Sequence, residues 1–192
     1  MLDYDREASR YDRTRGGAAR AEEAARAILS LAPPRTRLIL DLAGGTGIVA
    51  ERLRRDGAGV AVADRSHGML GHARERLPGR VLRCDATRLP LHDASVDVVA
   101  AIWLLHLVDD PEAVLIEAVR VIRPGGRFIT TVDKNASHGV PTEYASDAEP
   151  LVTRLAGRHG LSPADSAMFV GAGMGHGGAP DPIFELRAYD KG

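Results

Sequence analysis

Three aspartates, Asp41, Asp64 and Asp85, each close a short apolar run, and the glycine-rich turn Gly44-Gly45-Thr46-Gly47 follows the first of them. Glycines let a ligand approach the backbone, and the free amides that open the following helix, from Ile48, face that ligand. This stretch therefore reads as a cofactor cradle. Asp64, at the end of the second apolar run, can accept hydrogen bonds from both hydroxyls of a ribose. Asp41 can accept from the amides of the turn and adds negative charge beside it. His106 follows a fourth apolar run, and its imidazole can take up a proton near neutral pH; the competing reading is a buried ring with both nitrogens satisfied. His138 and His176 fall in loops, either as walls of a substrate pocket or as solvated residues. The single Cys84 excludes an internal disulfide and a cysteine metal cluster, and the histidines and acids show no metal-ligand spacing, so no metal is expected.

The elements that must position these groups are visible as alternating patterns. Leu38–Leu42 is a buried strand that enters the glycine turn, and a helix from Ile48 to Asp56 follows it. Val60–Ala63, Val81–Ala86, Val96–Trp103 and Phe128–Val132 read as four more strands. Helices fill the gaps: Ala18–Leu31, stopped by Pro33-Pro34; a helix to Arg76 with Ser66 as its N-cap; and one through Ile122 with Pro111 in its first turn. Two cofactors fit this alternation. Gly45-x-Gly47-x-x-Ala50 with Asp64 downstream matches the dinucleotide fingerprint, which would make the protein an NAD-linked oxidoreductase.

The wider spacing Asp41-x-Ala43-x-Gly45-x-Gly47 resembles motif I of the class I S-adenosylmethionine (SAM)-dependent methyltransferases, with Ala43 where that family usually carries glycine. Asp64-x-Ser66-x-x-Met69-Leu70 resembles motif II, and Arg120-Val121-Ile122-Arg123-Pro124-Gly125-Gly126-Arg127-Phe128 resembles the block before the family's fifth strand. Tyr4-Asp5 and Tyr11-Asp12 with Arg15-Gly16-Gly17 look like the amino-terminal segment of the small-molecule, ubiquinone/menaquinone-like group. The likeness runs from about Tyr4 to Asp133 and favours SAM, with S-adenosylhomocysteine as product. It implies a three-layer, Rossmann-like seven-stranded α/β sheet, mostly parallel with one antiparallel edge strand. It also implies cofactor contacts from Tyr11, Arg15, Asp41, Ala43, Gly45, Gly47, Asp64, Arg65, Met69, Asp85, Ala86 and Ile102. In that scheme Asp85 and the Ala86 amide meet the adenine, Arg15 meets a carboxylate, and the first segment folds over the cofactor as a lid. His106 then lies where acceptor and methyl donor meet, as the candidate general base.

Length and composition set the remaining bounds. At 192 residues, with 44% apolar and 27% charged residues and a net charge of −1, the chain reads as one globular domain with no pull toward nucleic acid or an anionic membrane. Its expected division is 1–31 for the lid and first helix, 37–133 for the cofactor core, and 134–192 for a carboxyl-terminal helix and edge hairpin. Pro141 to Gly157 reads as that helix, Phe169-Val170 and Phe184–Tyr189 as the hairpin, and the glycine-rich 171–180 as a mobile loop. No leader, lipidation motif or apolar run near ~18 residues is visible, so a cytoplasmic monomer or homodimer is expected. Arginine far outnumbers lysine and alanine is abundant, which suggests a GC-rich bacterial source. The expected activity is methyl transfer to oxygen or nitrogen of a small molecule in cofactor or natural-product biosynthesis. A peptide or protein acceptor, and a SAM-binding protein without catalysis, remain open alternatives.

Overall fold

The computed structural model describes residues 3–55, 57–131, 145–175 and 178–192. Seven strands alternate with helices: α1 (Tyr4–Thr14), α2 (Gly17–Leu31), β1 (Leu38–Leu42), α3 (Ile48–Arg55), β2 (Gly59–Asp64), α4 (His67–Arg76), β3 (Val81–Arg83), β4 (Val96–Ala101), α5 (Pro111–Val121), β5 (Ile122–Thr131), α6 (Ala145–Arg158), β6 (Leu161–Val170) and β7 (Ile183–Lys191). They form one sheet in the order β3-β2-β1-β4-β5-β7-β6. The first five strands in that order are parallel, and β7 is the reversed strand, antiparallel to both β5 and β6. The expected α/β sheet is therefore present. Strand order jumps outward from β1 on both sides, and the crevice between β1 and β4 is where such sheets bind ligands.

Alternation explains the layers. Ile39, Val60, Val62, Val98 and Ala100 face one side, under α2, α3 and α4, whereas Leu40, Leu42, Val99, Ala101 and Phe128 face the other, under α5 and α6. Both faces are covered, so β1 and β4 read as continuous apolar runs. In α2 the small Ala21, Ala24 and Ala25 with Ile28 and Leu31 form the buried stripe. Caps fix where the site-bearing helices begin. Ser66 Oγ accepts from Met69 N at 3.1 Å, and Asp110 Oδ1 accepts from Ala113 N at 2.9 Å, directly before Pro111.

Two polar ties lock the frame. Asp97 Oδ2 accepts from the amides of Arg37 (2.8 Å) and Leu38 (2.7 Å), which sets β1 against β4, and Asp97 Oδ1 pairs with Arg123. Arg120 donates to the carbonyls of Leu89 (3.0 Å) and Leu91 (2.8 Å) and pairs with Glu117 and Asp93, holding the connection from β3 to β4. The block 120–128 thus consists of two guanidinium locks around the start of β5, which begins at Ile122, earlier than the expected Phe128. Asp133 and residues 141–144 lie outside the described residues, as do Asp56 and Val132. The stretch expected to be mobile is tied in its described part: Gly175 N donates to Asp181 Oδ1 at 2.7 Å and Gly171 N to Pro182 O at 2.7 Å. Among the described residues no helix is long and apolar enough to cross a membrane, and no group of side chains could hold a metal ion.

Candidate active site

A cavity of about 690 Å³ opens at the carboxyl ends of β1, β2 and β4 and is roofed by α1. That volume is ample for a nucleotide-sized ligand with a second small molecule beside it. Its floor is the turn after β1. Ala43 N donates to Ala63 O at 2.7 Å, and Gly45 N donates to Asp64 Oδ2 at 2.9 Å, so the first two turns are stitched together. Gly44 has no room for a side chain, since a Cβ there would meet Asp41 Oδ2 at 2.5 Å. Ala43 has φ 56, in the left-handed region that favours glycine.

Two carboxylates define the electrostatics. Asp41 is 3% exposed, and its Oδ2 has no hydrogen-bond partner among the described residues. Burial, and then the charge of Asp64, push its pKa up to about 7, against a hydrogen bond from the Ala50 amide. Burial also raises Asp64, although its carboxylate accepts from the amides of Ser66 (2.8 Å) and Gly45. Two acids in a desolvated pocket, one with an orphaned oxygen, form a site built for a cation with hydrogen-bond donors.

Asp85 borders the cavity but is exposed, and its Oδ1 accepts from Thr87 N (2.9 Å) and Thr87 Oγ1 (2.8 Å) in an Asx turn. Those bonds hold its carboxyl below the usual carboxylate range. Ala86, Arg65, Met69 and Ile102 line the same cavity, with Met69 and Ile102 as buried apolar walls. His106 stands on a single 3-10 turn, Leu105–Leu107, exposed at the mouth, so the buried-imidazole reading fails. Val108, Asp109 and Asp110 continue that rim.

Two of the expected contacts lie off the lining of the main cavity. Gly47 does not line the cavity; a Cβ there would lie 3.2 Å from Ala73 Cβ, so the glycine serves the close packing of α3 on α4. Arg15, just past the end of α1 at Thr14, borders a small adjoining recess that shares Tyr4, Tyr11 and Arg20 with the main cavity, and its guanidinium lies 6.0 Å from the Tyr11 ring. His138 and His176 lie outside the described residues.

The Tyr-Asp repeat has a structural reason. Seven residues are two helical turns, so both tyrosines line the cavity while both aspartates reach the rim. Asp5 Oδ1 accepts from Ser66 Oγ (2.5 Å) and Gly68 N (2.8 Å). Asp12 accepts from Thr46 Oγ1 (2.6 Å) and pairs with Arg76 (2.7 Å), which also donates to Thr46 O (2.7 Å). Sequence reasoning missed these latches, and it missed Arg20 and Trp103, which also line the cavity. An arginine on the alanine stripe of α2 was the available signal.

Comparison with known proteins agrees with this geometry. The profile of a family described as a methyltransferase domain matches residues 40–130. A demethylmenaquinone methyltransferase of Mycolicibacterium paratuberculosis is 36% identical over 160 residues, covering 79% of this chain and 68% of the relative. The chain belongs to the class I SAM-dependent methyltransferases. A ubiquinone/menaquinone biosynthesis C-methyltransferase of Desulfotalea psychrophila, also in this family, is 36% identical over 61% of the chain and 51% of its own length. The chain spans about half the length of several of the curated relatives it matches. A SAM-dependent methyltransferase structure from Thermotoga maritima superposes with a TM-score of 0.72 at 21% identity, covering 98% of each chain, and shares the fold. SAM, the family's cofactor, suits the cavity: it is a cation carrying ribose hydroxyls and an amino group, and the cavity is lined by the buried Asp41 and the half-buried Asp64.

Proposed function

We propose that this chain transfers a methyl group from SAM to a small, largely apolar acceptor. The observation that carries the reading is the pairing of buried Asp41 with half-buried Asp64 on a cavity with room for two ligands. Asp64 accepts from the ribose hydroxyls through the lone pairs that the Gly45 and Ser66 amides leave, and it holds the two turns together as it does so. Asp85 and the Ala86 amide meet the adenine edge, with Met69 and Ile102 against its faces and Arg65 at the rim. Gly45 and Ala43 let the chain pass close to the methionine half. Tyr4 and Tyr11, held by the α1 latches, exclude water from above. We read the chain as one domain, with the lid and first helix in 1–31, the cofactor core in 37–133, and the carboxyl-terminal helix and edge hairpin in 134–192, of which residues 132–144 lie outside the described residues.

When bound, SAM supplies a methyl group on a sulfonium, and displacement forms the bond to the acceptor while the carbon–sulfur electron pair returns to sulfur. The protein's task is to align acceptor and donor in a dry cavity. His106, at the mouth, takes the acceptor's proton where the nucleophile begins protonated. A hydroxyarene or enol ionised this way is nucleophilic at oxygen and at carbon. Oxygen or nitrogen remains our reading of the acceptor atom, and the relative named as a C-methyltransferase supports carbon as the second reading.

Calorimetric titration with S-adenosylhomocysteine, SAM and NAD tests the cradle, followed by incubation with isotope-labelled SAM and a panel of phenols, enols and amines. Binding of both sulfur nucleosides without NAD, and label transferred to one class of acceptor, is the expected result. NAD binding alone would overturn the reading. Tight SAM binding with no transfer to any class would favour a non-catalytic SAM protein, and transfer only to peptides would replace the acceptor.

A further inference from the structure

We infer that Asp181 is a positioning residue for the roof: it pins the loop after β6 against the Gly16 hinge of α1 and so sets how often the cavity opens to its ligand. The inference goes beyond the methyltransferase reading, which leaves this loop unused; only the choice of probe ligand rests on that reading.

The roof joins the body through a short link. α1 ends at Thr14 and α2 starts at Gly17, so Arg15 and Gly16 are all that connects them. α2 cannot follow a moving roof, since Ala21, Ala24 and Ile28 are fully buried in the core. Any swing of α1 must therefore be taken up by backbone rotation in the link, as at the element ends that serve as hinges elsewhere. Gly16 has φ 77 and Gly17 φ 52, a region that glycine enters without strain. Yet Gly16 is not free to turn. A Cβ there would run into the Ala172 carbonyl oxygen and lie 3.2 Å from Met174 Cγ, and a Cβ on Gly173 would lie 3.4 Å from Gly16 Cα. With no room even for a methyl group, the hinge turns only when residues 172–174 withdraw.

Asp181 holds that loop in place. Gly171 N donates to Pro182 O at 2.7 Å and closes the loop's base, and Met174 N donates to Gly171 O at 3.0 Å. Asp181 Oδ1 then accepts from Gly175 N at 2.7 Å. The amides of Gly175, Gly173 and Met174 together hold its carboxyl below the usual carboxylate range. One carboxylate thus gathers the amides of three consecutive residues, two of which press on the hinge. Met174 reaches further, into the recess beside Tyr4 and Tyr11. Asp181 itself lines neither the cavity nor the recess, so it acts through the hinge and not on a ligand. It therefore biases the free and the ligand-bound roof alike, which changes the rates of exchange and leaves affinity in place.

The test compares wild type with Asp181→Ala and with Asp181→Asn, which keeps an acceptor oxygen. Stopped-flow gives the association and release rates of S-adenosylhomocysteine, and trypsin reads the ligand-free roof through Arg6, Arg10 and Arg13 of α1. Asp181→Ala is expected to raise both rates roughly 3- to 10-fold with affinity within about twofold of wild type, and Asp181→Asn to fall between the two. Cleavage after Arg6, Arg10 and Arg13 rises by a similar factor, while cleavage elsewhere and the urea midpoint stay as in wild type. Faster release without faster association would make the loop a ligand contact and overturn the pin. So would unchanged rates and cleavage. A lowered urea midpoint with cleavage rising along the whole chain would mark Asp181 as merely structural, and that too would overturn it. Should Asp181→Ala not fold, Asp181→Asn decides by the same readouts. If wild type binds no S-adenosylhomocysteine, the methyltransferase reading falls and trypsin alone decides: faster cleavage confined to α1 supports the pin, and its absence overturns it.

Discussion

Replacing Asp41 with asparagine should stabilise the ligand-free protein, and more so as the pH rises. Asp41 is buried at the end of β1, with one oxygen unpartnered and Asp64 nearby, and its pKa is pushed up from 3.8 to about 7. The native state therefore holds a proton that the unfolded chain releases near its ordinary value. Native protein binds more protons than unfolded protein between those two values, so stability falls as the pH climbs through that window. At 1.36 kcal/mol per pH decade, the full rise corresponds to roughly 4 kcal/mol, an upper bound. Asparagine keeps an oxygen for the Ala50 amide, and it carries no charge to desolvate or to set against Asp64. Thermal unfolding without ligand, run from pH 5 to pH 8 for both proteins, should show the variant ahead by roughly 5–15 °C at pH 8. The gap should shrink steadily toward pH 5. A variant equal to or weaker than wild type at pH 8, or a gap independent of pH, would refute the account of Asp41 as a destabilised acid. The same substitution should weaken SAM more than S-adenosylhomocysteine, because only the sulfonium needs the charge.

Asp64→Ala should weaken S-adenosylhomocysteine at least tenfold in calorimetry, and it should cost about 1–2 kcal/mol in urea unfolding, since the Gly45 and Ser66 amides lose their acceptor. Ala43→Gly should raise stability by about 1 kcal/mol in the same unfolding assay, by relieving a left-handed alanine; a loss would mean that the methyl group packs usefully. Asp5→Asn combined with Asp12→Asn should free α1 from Ser66, Thr46 and Arg76, which limited proteolysis would detect as faster cleavage within residues 4–14 and stopped-flow as faster release of S-adenosylhomocysteine. With an acceptor in hand, His106→Ala should lower the methylation rate roughly 100-fold or more while leaving nucleoside affinity unchanged.

The sheet was legible because its strands are buried on both faces and so appear as short apolar runs, each ending where the chain must turn at a ligand. Asp41, Asp64 and Asp85 were found for the same reason: an acid at the end of an apolar run stands out against its surroundings. Assigning their neighbours was harder, because spacing along the chain does not say which way a side chain points. Gly47 belongs to the motif yet answers to Ala73 on another helix, 26 positions away in sequence. Arg15 shares a segment with Tyr11, but it lies just past the end of α1 at Thr14 and borders the adjoining recess.

Arg20 was passed over because a helix rich in alanine and charge reads as an ordinary amphipathic surface helix. Its position argues otherwise. Residues 20, 24, 28 and 31 recur at helical spacing, and three of them are the alanine, isoleucine and leucine that α2 buries. An arginine in that register must be desolvated, and a desolvated arginine needs an anion or a π face. Trp103 supplies the face at the end of β4, 83 residues on, so the sequence contains both halves of the pair without signalling that they meet. What joins them is the fold: α2 packs beside β6 and β7, whose Phe169 and Phe184 hold the indole under the guanidinium. A charged residue on a buried helical stripe is thus worth reading as a question about its partner, and here the partner is the indole face of Trp103.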